Sequence, residues 1–290
     1  MTPAALIRDA ERRFRAARLS YGHGTDNPHD EAAFIVLRGL GLRFDSPVNE
    51  DLPEERLRRV EALIRKRIEK RIPAAYLLNE AWLEGRSFYV DRSVIVPRSH
   101  IAALLGNRLR PWLPRPPRRI LDLCTGSGCL AILAALAFPR ARVVASDISP
   151  AALAVAARNV RRYRLQKRIR LLRADLFGKV PGRYDLIVSN PPYVARRAMR
   201  ALPREYRHEP RLALAGGTDG LSAIRKIIAQ AADHLSPDGL LVYELGANRR
   251  ALERAAPGAP LYWPQDEVFI LEAPRTRAAS RTAPRRAAGR

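Results

Sequence analysis

Leu121-Asp122-Leu123-Cys124-Thr125-Gly126-Ser127-Gly128-Cys129-Leu130-Ala131-Ile132 is the stretch whose reading decides the fold. Its apolar opening reads as a buried strand, and its apolar end continues as a helix. The two glycines between them reach positive φ without a Cβ penalty and let the backbone approach a ligand. The helix start that follows presents N–H groups to an acceptor atom or a negative charge. Asp122, Cys124, Thr125, Gly126, Ser127 and Gly128 are therefore candidate cofactor contacts. A single G-x-G turn is weak evidence by itself, since many nucleotide-binding turns look alike.

Working outward, strands are expected at residues 120–123, 142–146, 169–174, 184–189, 239–245 and 267–272, with helices at 130–137, 150–163 and 220–234. This alternation predicts an α/β fold with a doubly wound sheet. Asp147 ends the second strand, where a carboxylate accepts from both ribose hydroxyls, and Ile148 follows it. Asp175 ends the third strand and suits an adenine amino group, with Leu176 and Phe177 as apolar cover. Helix capping is the plainer reading of either aspartate. Ligand-like groups at three successive strand ends weaken it. A dinucleotide site fits less well, because Ala131 stands where G-x-G-x-x-G needs its third glycine.

The fourth strand runs into Asn190-Pro191-Pro192-Tyr193. Proline has no N–H to donate, so the ladder stops there. The Asn190 side-chain oxygen and a free backbone carbonyl both accept, and together they can hold one planar NH2 group under the Tyr193 ring. An ordinary turn is the bland alternative.

The first 70 or so residues read as helices by apolar periodicity. Leu6, Ile7, Ala10, Phe14 and Ala17 recur at helix spacing, as do Ala32, Ala33, Val36, Leu37 and Leu40 after a cap at Asp30. A third helix, over residues 53–71, carries a stripe of Leu57, Val60, Leu63, Ile64 and Ile68. The loop Tyr21-Gly22-His23-Gly24-Thr25-Asp26-Asn27-Pro28-His29-Asp30 has two histidines and two aspartates. A structural connection with capping side chains is favoured there over a metal site. Short strands around residues 81–83 and 87–90, joined by Glu84-Gly85-Arg86, predict a β-hairpin. A helix is expected from residue 99 to about residue 110, before the proline-rich connection at 111–117.

The chain of 290 residues carries a formal charge of +23. The last sixteen residues hold six arginines and no acid, and the body still carries about +17. Such a field favours polyanions such as RNA, and an arginine-rich composition with solvated surface charge is the bland reading. The two cysteines, Cys124 and Cys129, sit in one glycine-rich segment, which argues against a disulfide framework and against zinc. No apolar run approaches the ~18 residues of a membrane span, and no apolar signal core opens the chain. A cytoplasmic protein is expected.

With these residues assembled, the chain resembles the seven-stranded Rossmann-like S-adenosylmethionine (SAM)-dependent methyltransferases. Within them it is similar to the protein-glutamine N5-methyltransferases. The resemblance covers nearly everything before the tail, including Arg71-Ile72-Pro73-Ala74-Ala75-Tyr76-Leu77, Phe88-Tyr89-Val90, Val96-Pro97-Arg98 and the D-x-C-T-G-S-G turn. Asn79-Glu80-Ala81-Trp82, Ser99-His100-Ile101-Ala102, Gly22-His23-Gly24-Thr25-Asp26-Asn27 and Leu202-Pro203-Arg204-Glu205-Tyr206-Arg207-His208-Glu209-Pro210 resemble the branch that modifies the third protein of the large ribosomal subunit. The release-factor branch instead has a glycine after Tyr-Leu and an acidic run after Pro-Arg. Ala195-Arg196-Arg197 is more basic than that family's usual continuation.

The resemblance implies methyl transfer from SAM to a glutamine side-chain amide in a ribosomal protein, on free protein or assembling subunits, with rRNA contact through the basic surface and tail. It implies that Asn190 and the Pro191 carbonyl accept the amide hydrogens, that Tyr193 packs on the amide plane, and that Arg98 encloses the substrate end. It assigns residues 1–75 to a helical substrate-recognition domain and 76–98 to a hairpin linker. Residues 99–273 become the methyltransferase domain, and 274–290 a disordered basic tail. Release-factor glutamine methylation, nucleic-acid adenine-N6 methylation and a non-enzymatic RNA-binding module remain open at this point.

Overall fold

The N-terminal helices start where local chemistry favours them. In α1 (Pro3–Ala16) the Thr2 hydroxyl accepts from the Ala5 N–H at 3.2 Å, and Pro3 fixes the first turn. In α2 (Pro28–Gly39) the cap is Asn27, whose Oδ1 accepts from the Asp30 N–H at 2.9 Å. The sequence reading gave that role to Asp30. The helix starts earlier because Pro28, with its φ already helical, takes the first position. Helix α3 (Glu54–Lys70) lays Val60 and Ile64 against Leu6, Ala10, Phe14, Ile35 and Val36 in one apolar cluster. The computed structural model describes residues 1–113, 115–256 and 260–273, so the reading of 274–290 as disordered lies outside the described residues.

A short helix, α4 (Ala74–Leu78), leads to the hairpin β1 (Ala81–Leu83) and β2 (Arg86–Phe88). Its loop is two residues, Glu84 and Gly85, both at positive φ (49° and 67°), so Arg86 belongs to the strand. Leu77, Leu78 and Trp82 pack on the N-terminal cluster. Tyr76, Val90, Val94 and Val96 pack with Ala152 and Val155 on the other side. The segment therefore bonds to both of its neighbours. Helix α5 (Ile101–Gly106) ends well before residue 110. Pro111 disfavours helical backbone at Arg110, and Arg108 and Leu109 turn left-handed while Leu109 stays buried.

The remaining elements are β3 (Arg119–Leu123), α6 (Cys129–Ala137), β4 (Arg142–Asp147), α7 (Pro150–Arg162), β5 (Ile169–Arg173), β6 (Tyr184–Ser189), α8 (Arg196–Ala201), α9 (Ser222–His234), β7 (Leu235–Glu244), α10 (Arg249–Ala255), β8 (Leu261–Gln265) and β9 (Val268–Glu272). Seven strands form one sheet in the order β5-β4-β3-β6-β7-β9-β8. The first five in that order are parallel, and β9 runs antiparallel to both its neighbours. Apolar clusters cover both faces, which is why the central strands read as continuous apolar runs. Strand β8 escaped the sequence reading because it contains Pro264; it lies at the sheet edge, where a missing N–H is tolerated. The strand order reverses between β3 and β6, and a crevice at their carboxyl ends is the expected ligand position. No described helix is long and apolar enough to cross a membrane.

Candidate active site

Two cavities meet at the carboxyl ends of β3, β4, β5 and β6. The first, of about 250 Å³, is lined by Cys124, Gly126, Asp147, Ile148, Asp175, Leu176 and Asn190 from four strand ends. Gly126 has φ 54°, and a Cβ there would meet nothing within 4 Å, so its backbone faces open space. Its N–H donates to Asp147 Oδ2 at 2.9 Å, and the Ser149 N–H donates to Oδ1 at 2.9 Å. These bonds fix the carboxylate's direction while leaving lone pairs for a ligand. Burial raises the Asp147 pKa, and the two N–H groups work against that rise.

Four of the expected cofactor residues shape this cavity without lining it. Asp122 is buried; its Oδ2 accepts from the Thr125 hydroxyl at 2.6 Å and the Ala131 N–H at 3.0 Å. It braces the glycine turn from behind, and burial pushes its carboxyl up to about 7. Ser127 is buried, and its carbonyl accepts from Asn159 Nδ2 at 2.9 Å. Gly128 has φ 78°, and a Cβ there would come within 3.2 Å of Ala156 Cβ, so glycine lets α6 sit close to α7. The sequence marks the turn but not which residues face inward, because that is set by contacts such as those of Asp122 with Thr125 and Ala131 and of Ser127 with Asn159. Phe177 likewise stacks on His234 at 4.4 Å in the core, leaving apolar cover to Leu176 and Ile148.

The second cavity, of about 210 Å³, is bounded by Ile95, Arg98, Asn190, Pro191, Tyr193 and Tyr206, among others. Asn190 lines both cavities, while Pro192 faces only the first. Tyr193 is tightly held. Asn248 Nδ2 donates to its carbonyl at 2.8 Å. A Cβ on Gly246 would come within 2.6 Å of its ring, and one on Gly216 within 2.7 Å of its Cα. Burial pushes the phenol up to about 12, with buried Glu244 adding to the rise, so it stays neutral. Arg98 donates to Glu209 through both terminal nitrogens, at 2.5 and 2.7 Å, and its guanidinium lies 5.5 Å from the Tyr206 ring. Glu209 also accepts from the Val96 N–H at 3.0 Å.

Glu205 and Glu209 tie this wall to the helical bundle. Arg67 is 1% exposed; its Nε donates to Glu31 at 3.0 Å, and its Nη1 donates to Glu205 at 3.3 Å. Glu205 also accepts from the Ser20 N–H at 3.1 Å and from Arg71 at 3.4 Å. His23 is buried between the two regions, 3.9 Å from Glu209, with its ring tilted 57° against that of Tyr206 at a centroid distance of 4.4 Å. Burial pushes its pKa down to about 4, so it is neutral at pH 7. His29 pairs with Glu11 at 2.8 Å, and His208 bonds the Lys70 carbonyl at 2.8 Å. No metal-binding group of three His, Cys, Asp or Glu occurs among the described residues. His23 and His29 of the histidine loop thus both make their contacts within the protein. That reading did not find Gly216, Gly246 or Asn248; the glycine-rich run 216–220 was the available signal.

Residues 103–204 match the model of the methyltransferase small domain. Over 278 residues the chain is 54% identical to the ribosomal protein uL3 glutamine methyltransferase of Bordetella pertussis, covering 92% of this chain and 93% of that one. It is 50% identical to the Neisseria meningitidis serogroup B protein of the same name, covering 92% and 91%. The chain belongs to the ribosomal protein uL3 glutamine methyltransferase family. Among solved structures, it resembles a methyltransferase from Pyrococcus furiosus at 21% identity and TM-score 0.47, over 74% of this chain and 98% of that one. It resembles the ribosomal protein L11 methylase of Lactobacillus delbrueckii at 23% and 0.42, over 60% and 77%. By its relatives at 50–54% identity the enzyme is a protein glutamine methyltransferase, and its cavities lie at the carboxyl ends of the strands, where an open α/β sheet binds ligands.

Proposed function

We propose that this enzyme methylates the side-chain amide nitrogen of a glutamine in ribosomal protein uL3, with SAM as donor. Asn190, on the wall shared by both cavities, carries the reading. A methyl donor in one cavity and an amide in the other would meet at this residue. The first cavity fits an adenosyl group chemically: Asp147 for ribose hydroxyls, Asp175 for an adenine amine, and Ile148 and Leu176 for the flat ring. When bound, SAM supplies an electrophilic methyl group on a sulfonium.

The protein's task is to make a poor nucleophile attack. The amide lone pair is delocalised into the carbonyl. In this reading Asn190 Oδ1 and the Pro191 carbonyl accept the two amide hydrogens, orienting the nitrogen and favouring the positive charge that develops on it. The neutral Tyr193 ring covers the amide plane, and Arg98, pinned by Glu209, closes the far end. So held, the amide nitrogen would present its lone pair to the donor's methyl group, and one amide proton would pass to water. No side-chain base is needed.

Residues 1–75 would recognise the acceptor protein, with surrounding rRNA as a second partner and the cytoplasm as the place of action. The test is label transfer from methyl-labelled SAM to free uL3, assembling large subunits, a release factor or DNA, offered separately. Label in a uL3 glutamine is expected. Label only in the release factor or in adenine would overturn the assignment.

A further inference from the structure

The opposite end of the sheet carries a different chemistry. Where β3, β4, β5 and β6 begin, a cleft of about 410 Å³ is lined by Arg119, Arg142, Lys167, Arg168 and Arg170, with no carboxylate in its wall. From Arg140 to Arg173 the sequence has ten Lys or Arg residues and a single acid, Asp147, at the far end of β4. None of those ten makes a salt bridge among the described residues; the ion pairs lie at residues 1–98 with 205 and 209, and beyond 218. The undescribed residues have no acidic side chain to supply one.

Three of these cations are held in place by neutral groups. Arg119 donates to the Pro181 carbonyl at 3.4 Å and lies 5.1 Å from the Tyr184 ring. Arg142 donates to the Lys167 carbonyl. Arg168 donates to the Phe138 carbonyl at 2.9 Å and the Ala135 carbonyl at 2.5 Å, capping α6. Burial, with Arg142 nearby, holds the Arg168 guanidinium below its ordinary value. Carbonyl bonds fix direction but leave charge uncancelled. Like charges gathered in one cleft repel, and a polyanion would relieve that repulsion. Lys167 and Arg170 stand exposed at the rim.

We propose that this cleft and the adjoining basic edge strand β5 form an RNA-backbone binding surface, separate from the methyl-transfer site. The strands between the two are five or six residues long, which sets the surfaces on the order of 20 Å apart. RNA held at one end leaves the other end free for a protein acceptor. The proposal extends the ribosomal reading without depending on which residue is methylated.

The test uses the full-length double variant Lys167→Gln/Arg170→Gln, which spares the cations that hold backbone carbonyls. Its control is Arg56→Gln/Arg59→Gln, an equal charge loss at exposed positions on α3. Binding of a short labelled RNA hairpin is titrated against salt. Each lost phosphate contact should lower the slope of log K against log salt by roughly 0.7–0.9. A drop of about 1.5 is expected for the cleft variant, with affinity about tenfold weaker at moderate salt and the control near wild type. Methyl transfer to free uL3 and the thermal midpoint should not change. An unaltered slope, or an equal loss in the control, would overturn the proposal. Loss of methyl transfer in the unmutated enzyme would instead count against the acceptor assignment alone.

Discussion

The two walls of the active site are built differently. The proposed cofactor-side wall is local: Cys124, Gly126, Asp147 and Asp175 each sit at or just past the end of a parallel strand, and the Gly126 and Ser149 N–H groups aim the Asp147 carboxylate. The acceptor-side wall is assembled from afar. Arg98 is aimed by Glu209, Tyr193 is seated by Gly216, Gly246 and Asn248, and Tyr206 lies against His23. A wall of strand ends inherits its geometry from the sheet. A wall of loops needs buried charge and close glycine contacts to hold still.

Asn190 stands on both walls, so its loss should do most. Asn190→Ala should lower kcat by on the order of 100–1000-fold with SAM affinity nearly unchanged, since orientation is lost rather than cofactor contact. Calorimetry beside single-turnover rates checks this; lost SAM binding with normal turnover at saturation would remove Asn190 from its place on the acceptor side. Gly246→Ala tests the distant wall by pushing on the Tyr193 ring. It should cut kcat/KM for the acceptor roughly 30–100-fold, a cost of about 2–3 kcal/mol in the range for overpacked sites, with SAM binding preserved. Asp147→Ala tests the near wall, and SAM should bind roughly 10–100-fold more weakly, as for loss of a charged hydrogen bond. An unchanged dissociation constant would end its assigned role.

A change of stability rather than of catalysis tests the joint between the walls and the bundle. Folding lowers the His23 pKa to about 4, against about 6.5 in the unfolded chain. The unfolded state therefore binds the proton more readily below pH 6.5. Stability should fall by about 1 kcal/mol per pH unit between pH 6.5 and about 4, and be untouched by this group above pH 7. Facing it are Glu209, Arg98, Arg67 and Glu205, and burial outweighs their fields. Denaturant titrations of wild type and His23→Phe should differ in slope only over that acid interval. Parallel curves would show that His23 does not titrate there.

The near wall was legible because a parallel sheet places ligand groups at strand ends, and apolar runs mark the strands. The glycine turn, Asp147, Asp175 and Asn190 could be picked out one strand at a time. The inward or outward facing of Asp122, Thr125 and Ser127 could not, since it depends on hydrogen bonds to Ala131 and Asn159 that close only in three dimensions. The far wall was legible only by resemblance. Nothing local to Glu209 shows that it will meet Arg98, 111 residues away in sequence. Edge strand β8 was hidden because its proline is forbidden in a central strand and harmless at a rim.

The buried contact of Arg67 with Glu31 and Glu205 constrains how such an enzyme can be retargeted. Removing one partner from a buried ion pair costs about 3–5 kcal/mol, much of a domain's stability. A chimera that joins the first 98 residues to a catalytic portion without a glutamate at the place of Glu205 would break that contact unless the 202–210 loop travels with them. For recombination, the helical bundle and the 202–210 loop thus form one discontinuous unit of two pieces far apart in the gene and joined in the fold. Exchanging either piece alone should yield a poorly folded protein before it yields a new specificity.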